Sequence, residues 1–513
     1  MNNIQKIFLV GLIVFYIPLI YPQQQTDNPW PTLADSPWPM IKHDPQFTGR
    51  SPYKGPQTPN IEWTKDMPYG IFSGPVIGED ENLYFGSYYV FADYFYSYNP
   101  DGDFLWSYQT GNGRPPQSGI LIDSSNTIYF GSRDSNFYAL NSDGTLKWKY
   151  KTSGQIDEVS IPNIDLRGTL YITNILGELF SINPDGTLNW SIKYENGFGD
   201  NSPAFSPDGS TIYICGRDSN LFALNLDAGI KWKFSCGRIR HAPMIDSFGN
   251  IYFIPIESPQ YIYSLLSDGI IRWQFLIQDI GPADIYSTPT IDYKGNLSFI
   301  SYDTTCCPYY LSLISLSYDG NFRWKYIFND EDNDDFWQPL ICDSEGTVYV
   351  GSTFGNNYYA ISSDGELKWK LPLMFSNQQV DNTGAISEDG TLYLGVHDVS
   401  LVINQTKTLI AIRDTGTTSV NNNFNIFIYQ LEQNYPNPFN PKTIIKYSLA
   451  EPSIIRLSVY NLLGEEIELL EEGYKQEGSY EIVFNASQLP SGIYIYKLVT
   501  EQHYSSKKMI LIK

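Results

Sequence analysis

Short apolar runs separated by polar turns recur at a nearly constant spacing along residues 61–420. In each period, an apolar run such as Ile128-Tyr129-Phe130 follows a turn, and the next run ends near a small residue such as Ala139. An Asp-Gly turn then leads into a third run, and a short opening run precedes all three. Apolar runs of this length between turn signals predict β-strands, and Asp-Gly predicts a tight hairpin. The pattern therefore predicts four strands per period.

Tryptophan marks the last strand of each period. The eight markers are Trp63, Trp106, Trp148, Trp190, Trp232, Trp273, Trp324 and Trp369, and the gaps between them are 43, 42, 42, 42, 41, 51 and 45 residues. A period of about 40–45 residues in a strand-rich chain is typical of a β-propeller with one four-stranded blade per period. The predicted fold class is therefore all-β, with a propeller over residues 61–420.

The two ends of the repeat predict how the ring closes. The last period contains strands at Leu392–Gly395 and Leu409–Ile412, but Val420 stands where its tryptophan should be. Trp63 has no preceding strands of its own, so its strand is expected to complete that last blade. This gives eight blades, and a seven-bladed ring is the alternative.

The repeat resembles the pyrroloquinoline-quinone-type (PQQ-like) propeller repeat, as the segment Ala139 to Trp148 illustrates. The resemblance implies that each tryptophan docks between neighbouring blades, against a small residue and a tight turn. The segment from Trp38 to Ser51 is similar to the lead-in that often precedes such repeats. Because Trp30 lies outside the repeat, its removal is expected to cost far less stability than removal of Trp148 or Trp190.

Residues 431–513 follow a linker at 421–430 and have a different pattern. Alternating residues such as Ile455, Leu457 and Val459 predict strands with one buried face, and short strands over eighty residues suggest a small immunoglobulin-like β-sandwich. The motifs Asn434 to Pro441, Val459 to Gly464 and Lys507 to Lys513 resemble the C-terminal sorting domain of the type IX secretion system. The resemblance implies recognition by the secretion translocon and a sortase, and a location at the cell surface or in the medium of a Gram-negative bacterium.

Residues 1–22 are predicted to be a signal peptide, because Lys6 precedes an apolar stretch of 15 residues, with an uncleaved anchor as the alternative. An extended lead-in is expected at 23–60, and no transmembrane span in the mature chain. With 33 basic against 56 acidic residues, the formal net charge is −23. This charge argues against nucleic-acid binding, which requires a basic surface.

The sequence contains few signals of catalysis: the four histidines are not paired at metal-ligand spacing, and no nucleophile or phosphate-loop motif occurs. Loops that follow the second strand and the tryptophan strand share one face, where variable loops favour binding. The candidate ligand-binding residues there, suited to an anionic or polysaccharide ligand, are Arg114, Arg133, Arg217, Arg238, Arg240 and His241. The predicted function is a non-enzymatic binding or scaffold module for an unknown protein or glycan ligand, with a PQQ-dependent dehydrogenase as the alternative.

No cofactor is predicted; Ca²⁺ and PQQ are the alternatives considered. Asp330, Asp332 and Asp334 form a candidate Ca²⁺ loop, although it lacks the glycine and terminal glutamate of an EF-hand, and a solvated acidic loop is the other interpretation. Two cysteine pairs are possible in an exported chain, Cys215 with Cys236 and the adjacent Cys306 with Cys307. The sequence leaves both pairings open.

Overall fold

The computed structural model divides the chain into two compact units, Met1–Asp414 and Thr415–Lys513. The described residues are 24–68, 70–71, 73–88, 94–111, 119–157, 160–194, 196–198, 201–239, 241–256, 259–280, 283–284, 288–303, 310–328, 339–352, 357–373, 378–379, 384–398, 408–414, 430–431, 433–449, 453–461, 464–476, 478–500 and 504–513. Apart from one 3-10 helix at Ile277–Ile280, the elements are strands.

The first unit contains eight antiparallel sheets of four or five strands among its described residues, and each sheet is one blade. Blade 1 contains β2 (Gly70–Ile71), β3 (Val76–Ile77), β4 (Leu83–Tyr88), β5 (Tyr94–Tyr98) and β6 (Phe104–Gln109), and blade 2 contains β7 (Ile120–Ile122), β8 (Ile128–Gly131), β9 (Asn136–Leu140) and β10 (Leu146–Lys151). Blade 3 contains β11 (Asn163–Ile164), β12 (Leu170–Thr173), β13 (Leu179–Ile182) and β14 (Leu188–Ile192), and blade 4 contains β15 (Ala204–Phe205), β16 (Ile212–Cys215), β17 (Asn220–Leu224) and β18 (Ile230–Ser235).

Blades 5 to 8 continue the same order. Blade 5 contains β19 (Met244–Ile245), β20 (Ile251–Phe253), β21 (Tyr261–Leu265) and β22 (Ile271–Leu276), and blade 6 contains β23 (Ala283–Asp284), β24 (Thr290–Ile291), β25 (Leu297–Asp303), β26 (Tyr310–Leu316) and β27 (Phe322–Ile327). Blade 7 contains β28 (Ile341–Cys342), β29 (Val348–Gly351), β30 (Asn357–Ile361) and β31 (Leu367–Pro372), and blade 8 contains β32 (Gln378–Gln379), β33 (Ala385–Ile386), β34 (Leu392–Asp398), β35 (Thr408–Ile412) and β1 (Ile61–Asp66).

The ring closes as the sequence predicts. Strand β1 pairs antiparallel with β35, and Trp63 lies opposite Ala411. The N-terminal strand is thus the outermost strand of blade 8, and the eight-bladed interpretation is confirmed over the seven-bladed one. A blade assembled from both chain ends needs no further strand to seal the ring.

The marker tryptophans join neighbouring blades through one repeated hydrogen bond. The indole N–H of Trp106 donates to Ser142 O in the Asp-Gly turn of the next blade at 2.8 Å, and that of Trp148 donates to Pro184 O at 2.9 Å. The turn glycine packs on the indole: a Cβ built on Gly144 would lie 2.5 Å from Cδ2 of Trp106. The expected docking between blades is therefore confirmed.

Residues 24–60, which we call the strap, run along the inner edges of the blades. Backbone N–H groups at the ends of innermost strands donate to strap carbonyls: Ile77 to Trp38 and Ile122 to Pro39, both at 2.9 Å. The same contact recurs at 2.8–3.3 Å from Phe205, Ile245, Ile291 and Cys342 to Pro45, Gln46, Thr48 and Gly49, respectively. These donors would otherwise be unpaired at the open edge of each blade, and the strap satisfies them.

The strap also contributes side chains to the core. Trp38 is 0% exposed and Trp30 only 8%, and the Trp30 indole donates to Ile164 O at 2.8 Å. Most marker tryptophans, by contrast, are only partly buried, since one flank of each indole faces solvent. The expectation that loss of Trp30 would be mild is therefore wrong in its premise, because lying outside the repeat does not place a residue outside the core.

The second unit is a two-sheet β-sandwich. One sheet has the order β36 (Gln430–Leu431), β37 (Lys442–Leu449), β40 (Gly478–Asn485), and the other has the order β39 (Glu466–Lys475), β38 (Ser453–Tyr460), β41 (Gly492–Val499), β42 (Tyr504–Leu511). Ile455, Leu457 and Val459 face the core as predicted. The acidic strand β39 was not anticipated, because its glutamates obscure the alternation of an edge strand.

Candidate functional site

Blade topology gives the propeller two unlike faces. We call "turn face" the side with the turns between the first and second strands and between the third and fourth strands of each blade. The "loop face" carries the connections between the second and third strands and those from one blade to the next. Turns 123–127 and 141–145 of blade 2 thus lie on the turn face, and loops 132–135 and 152–157 leave from the loop face.

The turn face is made of nearly identical capped turns. In four blades an aspartate that begins the first turn accepts backbone N–H groups and also the hydroxyl of the tyrosine six residues later. The Asp–Tyr oxygen distances are 2.8 Å for Asp123 and Tyr129, 3.2 Å for Asp165 and Tyr171, 2.9 Å for Asp246 and Tyr252, and 3.1 Å for Asp343 and Tyr349. These clamps were missed from the sequence, although the repeated Asp-to-Tyr spacing was visible. They fix the turns and leave little room for variation.

Two charged strap residues contact blades 6 and 7. Lys42 is buried, and its Nζ donates to Pro289 O at 2.7 Å and to Leu340 O at 3.2 Å. Burial lowers the pKa of Lys42 to about 7. The Arg50 guanidinium lies 4.4 Å from the Tyr293 ring centroid and donates to Asp27 at 3.1 Å. These cations hold the strap against blades 6 and 7.

The loop face is a hydrogen-bonded rim across blades 2 to 5. The N–H of Ile175 donates to Gln155 O at 2.9 Å, that of Arg217 to Gly197 O at 3.0 Å and that of Ile256 to Arg238 O at 2.8 Å. Each bond joins a loop within one blade to a connection between blades. Variable loops are thereby held in place by backbone contacts, which is the arrangement expected of a rigid binding frame.

Arg133 and Arg217 occupy equivalent positions two blades apart, because each begins an Arg-Asp-Ser-Asn sequence after the second strand. The guanidinium of Arg133 pairs with the Asp157 carboxylate at 2.5–2.7 Å. The guanidinium of Arg217 donates to Ile175 O at 2.8 Å. Both side chains thus tie neighbouring loops together, and the charge of Arg133 is offset by its partner.

The aspartate that follows Arg133 anchors the same loop. Asp134 accepts the Tyr138 hydroxyl at 2.5 Å and the Asn136 N–H at 2.9 Å. Burial disfavours its charge, but the hydrogen bonds from Tyr138 and Asn136 outweigh burial and lower the pKa of Asp134. The carboxylate is therefore a fixed anion within the loop, and it supports the orientation of Arg133.

Of the four remaining candidate residues, two are among the described residues. Arg238 and His241 lie on the connection from blade 4 to blade 5, where His241 O accepts from Cys215 Sγ at 3.6 Å. Arg114 and Arg240 lie outside the described residues. The structure therefore puts Arg133, Arg217, Arg238 and His241 on one face and spreads them over the loops of blades 2 to 5.

The predicted Ca²⁺ loop and one of the two predicted cysteine pairs cannot be compared with the described part of the structure. Asp330, Asp332 and Asp334, and also Cys306 and Cys307, lie outside the described residues. Within the described ranges, no group of three or more His, Cys, Asp or Glu side chains could hold a metal ion. Cys215 and Cys236 are not joined in a disulfide in the structure, and neither is Cys342. In the same ranges, no helix has the length and hydropathy needed to cross a membrane.

Comparison with known proteins supports the two-part organisation. Residues 433–513 match the family described as the secretion system C-terminal sorting domain, and residues 93–233 match the family described as outer membrane protein assembly factor BamB. The chain is similar to the crystal structure of BamB from Moraxella catarrhalis, with 13% identity and a TM-score of 0.47, over 69% of this chain and 98% of that one. No curated protein matches the sequence. The chain therefore contains PQQ-like propeller repeats and a C-terminal type IX secretion sorting domain, which indicates export to the cell surface or medium.

Proposed function

We propose that the propeller is a non-enzymatic binding module, and that its loop face binds an anionic ligand, most simply an acidic polysaccharide. The observation that carries this proposal is the difference between the two faces. The turn face is built from repeated capped turns and is lined by the strap, whereas the loop face combines varied loops with basic side chains.

Charge supports an anionic ligand. The chain has a formal net charge of −23, yet the loop face of blades 2 to 5 carries Arg217 and Arg238, in addition to Arg133, whose charge Asp157 offsets. A guanidinium offers several donors in fixed geometry and suits carboxylates and sulfates. Arg217 is exposed on this face in the loop after the second strand of blade 4, so we choose it as the basic residue to test.

A PQQ-dependent dehydrogenase is the competing function. Such an enzyme needs a carboxylate and amide set that holds Ca²⁺ beside the quinone, and long insertions usually build it. Five of the seven tryptophan spacings are only 41–43 residues, which leaves little chain for such insertions. We therefore propose that the protein takes up neither PQQ nor Ca²⁺ as a catalytic cofactor.

A glycan array of neutral, carboxylated and sulfated polysaccharides, probed with the processed full chain, tests the binding proposal. Selective retention on acidic glycans is the expected result. Arg217→Ala should weaken that binding by roughly tenfold, the loss expected for about one charge-assisted hydrogen bond.

Arg323→Ala is the matched control. Its guanidinium also donates to a carbonyl of a neighbouring blade, Ser363 O at 3.0 Å, but it lies on the turn face. Equal losses for the Arg217 and Arg323 variants would refute a loop-face site. In a parallel arm, stoichiometric PQQ uptake with Ca²⁺-dependent oxidation of alcohols would establish the dehydrogenase instead.

A further inference from the structure

Blade 5 differs from the other blades at its Asp-Gly turn. In blades 2 and 3, the residues that bracket this turn are asparagine and threonine, and their side chains bond to each other: Asn141 to Thr145 at 2.8 Å and Asn183 to Thr187 at 3.0 Å. Blade 5 has Leu266 and Ile270 at these two positions, and they are 40% and 60% exposed. Comparison with the equivalent turns of blades 2 and 3 thus shows that the turn of blade 5 exposes additional apolar surface.

The first turn of blade 5 also exposes an apolar side chain where the other blades have a polar one. Phe248 is 45% exposed there, and its counterparts in other blades are all polar. Those counterparts include Ser125, Arg167, Lys294 and Glu345. A phenylalanine contributes nothing to a turn that Asp246 already caps by accepting the N–H groups of residues 248 and 250. Turn geometry therefore does not account for this side chain.

The three apolar side chains belong to one surface. Ile251 pairs with Leu265, which sets the two turns of blade 5 side by side. A Cβ built on Gly249 would lie 3.9 Å from Cβ of Ser267, so the turns touch. The Phe248 ring also meets the Tyr318 ring of blade 6, with centroids 6.2 Å apart. We call Phe248, Leu266, Ile270 and Tyr318 the blade-5 patch.

Charges around the blade-5 patch are balanced, unlike those of the chain as a whole. In the turn-face segments 206–211, 225–231, 246–250, 266–272, 292–296 and 317–323, the charged residues that are not buried are Asp208, Asp227, Asp268, Asp319, Lys231, Arg272, Lys294 and Arg323. Four acids thus match four bases, in a chain that carries −23. Among exposed side chains, repulsion between two copies is therefore weaker at these segments than the net charge of the whole chain would give.

We propose that the blade-5 patch is a self-association surface, on which a second copy of this chain docks through a two-fold interface. A contiguous exposed apolar cluster marks an interaction site more often than isolated apolar residues do. A two-fold interface must be self-complementary, and an apolar centre flanked by equal numbers of both charges meets that condition. Pairing through turn faces leaves both loop faces directed outward, so the dimer would present two ligand-binding faces.

Restoring the residues of the other blades tests the proposal without disturbing the fold. In the processed full chain, Phe248→Ser, Leu266→Asn and Ile270→Thr are combined, because Ser125, Asn141 and Thr145 occupy these positions in blade 2. Sedimentation or light scattering is measured from about 1 to 100 µM, the range of dissociation constants expected for a small interface. The wild type should dimerise in this range, and the triple variant should stay monomeric or associate at least tenfold more weakly.

Leu188→Asn is the matched control, because Leu188 is an equally exposed leucine on blade 3, away from the patch. It should dimerise like the wild type. Circular dichroism and thermal unfolding should be unchanged in the triple variant, because each of its new side chains is native to the same turn in blade 2. A wild type that stays monomeric at 100 µM, or a triple variant that dimerises with unchanged affinity, would overturn the proposal.

Discussion

Replacement of Trp38 by alanine tests whether the strap is an integral part of the propeller core. Trp38 is 0% exposed, and its indole ring centroid lies 5.0 Å from that of His43. Loss of a fully buried tryptophan costs about 3–5 kcal/mol, because transfer energy and cavity energy add. Trp148 is only partly buried, so its alanine variant should lose roughly half as much. The residue outside the repeat should therefore matter more than the repeat residue.

The assay is equilibrium unfolding of the processed chain in urea, followed by far-ultraviolet circular dichroism, since the substitutions remove fluorophores. The midpoint for Trp38→Ala should lie below that for Trp148→Ala, with similar slopes. Trp38→Phe is the informative second variant. The indole Nε1 of Trp38 has no hydrogen-bond partner in the structure, so phenylalanine should recover most of the loss.

The opposite ranking would refute this reasoning. If Trp38→Ala unfolds at the wild-type midpoint while Trp148→Ala unfolds earlier, the strap does not contribute to the folded core. Trp30→Ala provides an independent check at a second strap residue, because it removes both a buried ring and the bond to Ile164 O.

Three further outcomes are expected. The pKa of Lys42 is 10.5 in the unfolded chain and about 7 in the folded protein, so the unfolded chain binds more protons between these two pH values. The stability of the wild type should therefore rise with pH in this range, by at most about 1.4 kcal/mol per pH unit. Thermal melts of Lys42→Met should lack this pH dependence. Tyr252→Phe should cost about 1–2 kcal/mol in urea unfolding, because it removes the donor to buried Asp246, whereas Tyr213→Phe in blade 4, where Ser206 replaces the aspartate, should cost less. Truncation after residue 425 should leave a folded propeller in the periplasm by cell fractionation, since residues up to Asp414 form their own unit; its appearance outside the outer membrane would show that the C-terminal module is not the export signal.

The architecture was readable from the sequence because every blade must bury the same two strand faces. That requirement repeats the tryptophan, the small residue opposite it and the Asp-Gly turn, and the pairing of Trp63 with Ala411 follows from where the repeat starts and stops. The sorting domain was readable for a different reason, since its motifs are contiguous in the chain.

The strap was readable only as a lead-in. Its residues contact innermost strands that are up to about three hundred positions away, as when Gly49 O accepts the N–H of Cys342. The distances between blades set the spacing of its buried side chains, so no helix or strand period appears in its sequence. The loop face has the same difficulty, because the Arg133–Asp157 and Arg217–Ile175 contacts depend on how neighbouring blades meet.

The contacts that constrain the turn face of the propeller explain where the blades differ from one another in sequence. On the turn face, Asp caps, tyrosine clamps, tryptophan contacts and the strap all act on turns of a few residues, so a substitution there disturbs several contacts at once. Blade 5 departs from this uniformity at exposed positions that those contacts do not use, which is the kind of change that a repeated turn can accept without cost to the fold. The loop face is fixed by backbone bonds and by a few side-chain contacts, such as that of Arg133 with Asp157, so fewer of its positions are constrained. A module that binds through the loop face and pairs through blade 5 would gain avidity from two outward-facing sites, since the second contact with a repetitive ligand is intramolecular.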